Sequence, residues 1–227
     1  MRKTVFANGE FYHIYNRGTD KRTIFLDEDD VGRFFQSMEE FNTLEPIGSI
    51  YERSFLQNPK TPQLGGLASK LRRKTKLVNF ICYCVHSNHY HFLLEQIVER
   101  GIEKFLHRLG TGYTMYFNTK YKRSGSLFQG SFKSIHINSD EYLLYVSAYI
   151  NLNTQVHQLG GLASKLVGSR SSWEEYQKDE KGGFCKKEII LGQFENTKEY
   201  EEFARSSLTE ILERRRKEKE IDSLLLE

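Results

Sequence analysis

The sequence predicts an α+β protein in which helices pack on one antiparallel sheet. Three observations support this fold class. Runs with strand character occur at residues 11–16, 79–95 and 132–137, a polar HSN interrupts the second run, and stretches with helical periodicity separate the runs. The resulting order is strand, helix, two strands, helix, strand, helix. The 227 residues, 38% of them hydrophobic, are enough for one domain with a sizeable core and an extension.

The first strand and the first helix precede a long polar segment. FYHIYN at 11–16 alternates as a half-buried strand does. Residues 27–42 begin with acidic side chains, which favour a helix N-terminus, and then carry apolar residues at helical spacing. Those apolar residues are Phe34, Phe35, Met38 and Phe41. Residues 44–76 are polar and basic, so we expect a loop insertion before the next strand.

A histidine pair lies in the second apolar run. Successive strand residues point to opposite faces, so His89 and His91 share one face while Tyr90, Phe92 and Leu94 form the other. The two imidazoles are attached roughly 7 Å apart, which lets them converge on one ion. A metal site and a solvated polar face are both compatible with this pattern, because imidazole is a common ligand and histidine is also an ordinary surface residue.

Two more helices and a strand follow. Residues 102–120 form the second predicted helix, and residues 132–137, FKSIHI, the last strand. The inner side of that helix carries Phe105, Leu109, Tyr113 and Tyr116. Residues 138–153 form the third helix, in which Asn138 or Ser139 can cap the N-terminus. Leu143, Val146 and Ile150 recur at helical spacing and are expected to face the core.

Two polar residues of the third helix suggest chemistry. Tyr149 and Asn153 are four residues apart, so they share a helix face one turn from each other. A phenol can act as a nucleophile, and an amide oxygen can bind a metal ion. Tyr142 and Tyr145 on the same helix are alternative nucleophiles, and packing is the alternative role for any helix tyrosine.

Several blocks of the sequence occur together in one known family. The blocks are FYHIYNRG at 11–18, IFLDEDD at 24–30, CYCVHSNHYHFLLEQ at 82–96, GSLFQGSFKS at 125–134, YINLN at 149–153 and SSWEEY at 171–176. In this order they resemble the single-tyrosine HUH transposases, and more closely the REP-associated tyrosine transposases. The resemblance covers most of the chain up to about Tyr176. It implies a ferredoxin-like antiparallel sheet, the HUH endonuclease fold, with the histidine pair on a central strand.

The resemblance also implies a reaction. Tyr149 is expected to attack single-stranded, hairpin-forming repeat DNA and to form a 5′-phosphotyrosine, through which the strand is later rejoined. His89 and His91 are expected to bind a divalent metal, Mg²⁺ or Mn²⁺, with Asn153 as the third ligand. Two positions depart from the family pattern. Thr154 follows Asn153 where the family usually has proline, and HSN at 86–88 stands where it usually has Met-Pro-Asn.

Four residues in the family-like blocks are candidate DNA contacts, three of them basic and the fourth one of two phenylalanines. Arg17, Arg123 and Lys133 lie near predicted strand ends, where they can hold phosphates. Phe128 or Phe132 can stack on a base. For each of these residues the alternative is a solvated charge or a core aromatic.

The sequence leaves two other functions open. A DNA-binding protein that has lost catalysis would recognise the same hairpins, and a metal-dependent nuclease would hydrolyse DNA without a covalent intermediate. The sequence also leaves a monomer and a homodimer open.

Composition and charge set further expectations. The chain has no apolar run long enough for a bilayer and no leading apolar segment, so a cytoplasmic location is expected. Cys82, Cys84 and Cys185 are expected to be buried free thiols rather than zinc ligands, because structural zinc sites usually present cysteine pairs across a tight turn. The net charge of +3 does not by itself indicate nucleic acid.

The expected organisation is one transposase domain followed by an extension. The domain spans residues 1–176 and contains loop insertions near 44–76 and 155–170. Residues 177–227 are a charged, mostly helical extension that ends in a solvated helix from Ser207 onward.

The nonapeptide QLGGLASKL occurs twice without change, at 63–71 and at 158–166. Leu-Gly-Gly can be encoded by CTT GGA GGC, whose reverse complement GCC TCC AAG encodes Ala-Ser-Lys. Each copy is therefore compatible with a DNA palindrome, with the codon of the central leucine as its loop. A mobile hairpin element inserted twice in frame explains the identity of the copies, because exposed loops tolerate insertions at little thermodynamic cost.

We predict that the two coding stretches use codons that pair into stems. The nucleotide sequence of the gene checks this directly. Codons that cannot pair in either copy would eliminate the palindrome hypothesis.

Overall fold

The computed structural model describes residues 4–48, 50, 75–155, 169–178 and 182–224, with side chains up to residue 213. Its centre is a five-stranded sheet in the order β4-β1-β3-β2-β5, and all neighbouring strands are antiparallel. The strands are β1 (Phe11–Arg17), β2 (Val78–His86), β3 (His89–Gln96), β4 (Lys133–Ile137) and β5 (Arg170–Ser171). The first four strands have the βαββαβ connectivity of a ferredoxin-like unit. The predicted fold class is confirmed, and the histidine pair lies on the central strand.

Helices cover both faces of the sheet. On one face lie α1 (Glu28–Glu40) and α2 (Gly101–Lys120). On the other lie α3 (Asp140–Asn151), α4 (Trp173–Tyr176), α5 (Glu188–Leu191) and α6 (Thr197–Leu224). In the described part of the chain, no helix is long and apolar enough to cross a membrane.

Strand alternation divides the sheet into two unlike faces. Tyr90, Phe92 and Leu94 point from β3 toward α1 and α2, as the sequence predicts, and are buried there. Burying a large apolar side chain contributes about 1.5–3 kcal/mol. Tyr113 of α2 is buried against this cluster, and its hydroxyl donates to the carbonyl of Ile24 at 2.6 Å. This face of the sheet is therefore part of the packed core. Because side chains alternate along β3, His89 and His91 project from the opposite face.

The C-terminal extension completes the core on the histidine face. The hydroxyl of Tyr200 in α6 lies 3.2 Å from Ser147 Oγ and accepts from Asn151 Nδ2 at 2.8 Å. Leu208 and Ile211 are buried. The expectation of a solvated helix from Ser207 is thus wrong for this part of the helix. An apolar stripe at helical spacing inside a highly charged sequence packs it on α3.

A tight segment after β1 fixes the turn that precedes His89. The amide of Gly18 donates to the carbonyl of Asn88 at 2.8 Å, and the amide of Ile24 donates to that of Ser87 at 2.7 Å. A Cβ at Gly18 would lie 2.3 Å from the carbonyl oxygen of Arg22, so only glycine fits this close approach. The start of β3 is therefore held by backbone contacts.

Both copies of the nonapeptide lie outside the described residues, but the points where the chain leaves and re-enters are described. The amide of Leu44 donates to the carbonyl of Thr75 at 2.8 Å. Ser171 Oγ donates to the carbonyl of Asn151 at 2.9 Å. Each predicted insertion therefore begins and ends at positions that the folded core already joins.

We predict that deletion of residues 63–71 changes the free energy of unfolding by less than about 1 kcal/mol, because loop-closure entropy varies slowly with loop length. Urea denaturation measures this change. Asn42→Ala is the contrasting variant, because the Asn42 side chain bonds the amides of Leu77 and Val78 and the carbonyl of Val78 at 2.9–3.0 Å. Its loss should cost about 2 kcal/mol or more. A deletion as costly as Asn42→Ala would show that the segment contributes to the core.

Candidate active site

His89 and His91 lie half-buried on the face of the sheet that α3 covers. Their ring centroids are 5.3 Å apart and the rings are nearly perpendicular, at 88°. In the strand register His91 is opposite Tyr15 of β1 and Cys84 of β2. The alternation predicted from sequence therefore places both imidazoles on one face, next to side chains from both neighbouring strands.

A neighbouring amide fixes the proton position on His89. Its Nδ1 is 2.6 Å from Asn88 Oδ1, while Asn88 Nδ2 donates to the carbonyl of Lys21 at 3.0 Å. Because the second bond requires the nitrogen of the amide, the atom that faces His89 is the oxygen. Nδ1 of His89 is then the donor, and the lone pair of the neutral ring is on Nε2.

His91 has a comparable contact with His13 of β1. Its Nδ1 is 2.9 Å from His13 Nε2, and the two rings are stacked at 5.2 Å. Burial lowers the pKa of His13 to about 4, so His13 is neutral at pH 7. A neutral His13 can accept a hydrogen bond from Nδ1–H of His91. The lone pair of the His91 ring is then on Nε2. Contacts of this kind orient histidines that bind metal ions.

Tyr149 of α3 lies over the rings of His91 and His13. Its ring is edge-on to His91, with centroids 5.8 Å apart at 86°, and edge-on to His13 at 6.1 Å and 73°. The side chain is half-buried. The structure thus brings the predicted nucleophile and one predicted metal ligand into contact, although they are far apart in sequence.

Asn153 reaches the site from just beyond the helix. The predicted helix over 138–153 ends earlier, at Asn151, and Asn153 begins a separate helical turn at 153–155. Asn153 is fully buried, and its Oδ1 is 2.8 Å from Nε2 of His86 at the end of β2. The ring of His86 stacks on that of His89 at 4.4 Å. Asn153 is therefore linked to the histidine pair through His86.

The chemistry of these donors fits a divalent ion. In the ranges that the structure describes, no three His, Cys, Asp or Glu side chains are arranged to hold a metal, so a site here needs an amide or solvent beside the two histidines. Asn153 supplies such an amide. The end of this amide that is buried without a hydrogen-bond partner among the described residues is placed as Nδ2, and turning the amide over would put its oxygen there. Two imidazoles and an amide form a mixed nitrogen and oxygen donor set, which divalent transition metals bind.

The cysteines behave as the sequence predicts. Cys82, Cys84 and Cys185 are buried free thiols. Burial raises the pKa of the Cys84 thiol, although a hydrogen bond from the backbone of Thr154 opposes the shift. These side chains therefore pack as neutral thiols.

The four candidate DNA contacts occupy different environments. Arg17 and Lys133 are exposed and lie opposite His89 and Tyr15 in the register, on the histidine face. Arg123 donates to Asn118 Oδ1 and to the carbonyl of Ser126, so it joins the end of α2 to the following turn.

Phe128 corrects one expectation. It is 7% exposed, and its ring packs on Tyr90 and Tyr113 in the core of the α1 and α2 face. A ring buried in this way has no open face for a DNA base, and its role is packing.

Three residues of the site were not predicted from sequence: His13, Tyr15 and His86. The ring of Tyr15 stacks on His91 with centroids 5.7 Å apart at 21°. The alternation of FYHIYN already places His13 and Tyr15 on one strand face. The signal that was missing is the strand order, which places β1 beside β3.

Residues 47–153 match the family model described as "Transposase IS200 like". This range contains His89, His91, Tyr149 and Asn153. Over these residues, which are just under half of the chain, the sequence is similar to IS200-like transposases, in agreement with the resemblance that its motifs carry. No curated protein matches the chain in sequence. A solved structure of a REP-associated tyrosine transposase bound to a REP hairpin is similar at 12% sequence identity and a TM-score of 0.45, covering 77% of this chain and 83% of that one.

We predict that His13→Phe weakens Mn²⁺ binding about tenfold, because it keeps a ring beside His91 but removes the acceptor for Nδ1. Isothermal titration calorimetry measures the affinity. The control is His136→Phe, the same substitution at a half-exposed histidine of β4 whose side chain pairs with Glu10. Equal Mn²⁺ affinity of His13→Phe and the wild type would contradict the assigned role of His13.

Proposed function

We propose that this chain is a tyrosine transposase that cuts and rejoins single-stranded, hairpin-forming repeat DNA through a covalent phosphotyrosine. The observation that carries the proposal is the contact of Tyr149 with His91. The family match supports the reaction class, and the contact supports Tyr149 as the nucleophile because it lies beside His91.

Tyr149 acts as the nucleophile. Its Oη forms a bond to phosphorus, and the bond from phosphorus to the 3′ oxygen breaks. The phenol proton is transferred, directly or through water, and the departing oxygen ends as a 3′ hydroxyl. The new 5′-phosphotyrosine retains the phosphodiester energy, so attack by another 3′ hydroxyl reseals the strand and frees Tyr149.

His89, His91 and Asn153 would hold the divalent ion, Mg²⁺ or Mn²⁺. When bound there, the ion supplies a Lewis acid that polarises a phosphoryl oxygen and offsets negative charge. The side chains around the histidines set their direction. Asn88 orients His89 and His13 orients His91 through the Nδ1 contacts.

The proposed substrate is unpaired DNA beside a hairpin, as the resemblance to REP-associated tyrosine transposases implies. Arg17 and Lys133 are exposed on the histidine face, where they can contact phosphates. Tyr15 lies between Lys133 and His91 in the strand register and is half-buried, so its ring is a candidate for stacking on an unpaired base.

We predict that wild-type protein, hairpin oligonucleotide and Mn²⁺ give a covalent adduct on a denaturing gel, and that Tyr149→Phe gives none. The variant keeps the ring and removes only the hydroxyl, so hairpin binding should stay within about twofold of the wild type. Tyr145→Phe is the matched control on the same helix and should still form the adduct.

The same experiment separates the other two functions. Cleavage without an adduct identifies a metal-dependent nuclease. Hairpin binding without cleavage identifies a DNA-binding protein that has lost catalysis. An adduct that persists in Tyr149→Phe and disappears in Tyr145→Phe would show that the nucleophile is misassigned.

A further inference from the structure

His86 connects the two halves of the proposed metal site. It is the last residue of β2 and is 2% exposed. One side of its ring stacks on His89 with centroids 4.4 Å apart, and its Nε2 lies 2.8 Å from the amide of Asn153. No other described contact joins Asn153 to the histidine pair so directly.

The direction of the hydrogen bond between His86 and Asn153 decides whether the other atom of the amide, the one that does not face His86, is the nitrogen or the oxygen. In one direction Nε2 donates to Oδ1, and the amide nitrogen is left buried without a partner among the described residues. In the other direction Nδ2 donates to Nε2, and the oxygen takes the unpartnered position. The two directions have nearly the same shape, because the oxygen and nitrogen of an amide are distinguished only by their hydrogen bonds. An unpartnered nitrogen is a donor and cannot bind a cation, whereas an oxygen can.

A neighbour of His86 is compatible with the second direction. Ser169 Oγ is 3.4 Å from Nδ1 and can accept the ring proton there. With the proton on Nδ1, Nε2 is an acceptor, and the atom of Asn153 that faces it is the amide nitrogen.

We propose that His86 is a positioning residue that turns the Asn153 oxygen toward the metal held by His89 and His91. This inference rests on the proposed function, because it assumes the divalent ion of that site. The ring of His86 supports His89 by stacking, and its Nε2 holds the Asn153 amide. One side chain therefore sets the geometry of two of the three donors.

The test measures Mn²⁺ affinity by isothermal titration calorimetry, without DNA or turnover. His86→Phe keeps a ring against His89 and removes both nitrogens. We expect it to weaken Mn²⁺ binding about tenfold, within the range typical of partners that orient metal ligands. His86→Gln, which can still hydrogen-bond the amide, should recover most of that loss. His107→Phe, the same substitution at an exposed histidine of α2, should leave the affinity unchanged.

A double-mutant cycle with Asn153→Ala tests whether His86 affects Mn²⁺ affinity through the Asn153 amide. If His86 acts through the amide, His86→Phe should cause no further loss in a chain that already carries Asn153→Ala. Independent, additive losses would overturn the proposal, and so would wild-type affinity in His86→Phe. Thermal melts without metal verify that each variant is folded. Where His86→Phe does not fold, His86→Leu is measured in its place.

The outcomes keep this inference separate from the proposed function. Wild-type protein that binds no Mn²⁺ overturns the metal site and the role of His86 together. Normal Mn²⁺ binding without a covalent DNA adduct overturns the transposase reaction and leaves the role of His86 standing. Normal adduct formation with unchanged metal affinity in His86→Phe overturns only the role of His86.

Discussion

The antiparallel pairing of β1 with β3 is the constraint on which the site depends. This pairing places Tyr15 opposite His91 and Arg17 opposite His89. It also brings His13 to within 2.9 Å of His91. A shift of the register by one residue would turn the histidines of β3 to the apolar face and Phe92 to the site. The apolar residues that alternate with the histidines therefore fix the chemistry, because burying them against α1 and α2 allows only one register.

The polar groups buried on the histidine face of the sheet need hydrogen-bond partners. Buried polar groups cost free energy unless they are hydrogen-bonded. Around α3 the cost is met by a connected set of contacts. Asn151 bonds Tyr200 and Ser172, and Ser172 bonds the backbone of Tyr83 in β2. The helix that carries Tyr149 is thus joined both to the sheet and to α6. The charged C-terminal extension therefore helps to hold the helix that carries Tyr149, the proposed nucleophile.

Much of the fold follows from sequence because its signals are local. The strand patterns of the sequence identified β1 to β4 but not the short β5, and helical spacing identified α1, α2 and α3. Ser139 is the cap of α3, with its side chain accepting from the amide of Tyr142. The site was only partly predictable. His89 and His91 share a face because they are two residues apart on a strand. The contacts of His13 and His86 depend on which strands are neighbours, and the burial of Phe128 depends on how a turn packs. The end of α3 before Asn153 depends on contacts with β2 that no local pattern reveals.

The second predicted insertion lies next to the site in the sequence. The second copy of the nonapeptide lies between Asn153 and Ser169, and both of these residues contact the ring of His86. An insertion at this point would separate the two partners of His86 along the chain without separating them in space, because β5 and the contact of Ser171 with Asn151 hold the ends together. Loop-closure entropy grows slowly with length, so the added residues cost little as long as this junction stays intact. The contacts around His86 are therefore compatible with an insertion between Asn153 and Ser169, as the palindrome hypothesis requires. The His86 ring is anchored by the sheet on one side and by the residues flanking the insertion on the other, so the geometry of the site does not require a short connection.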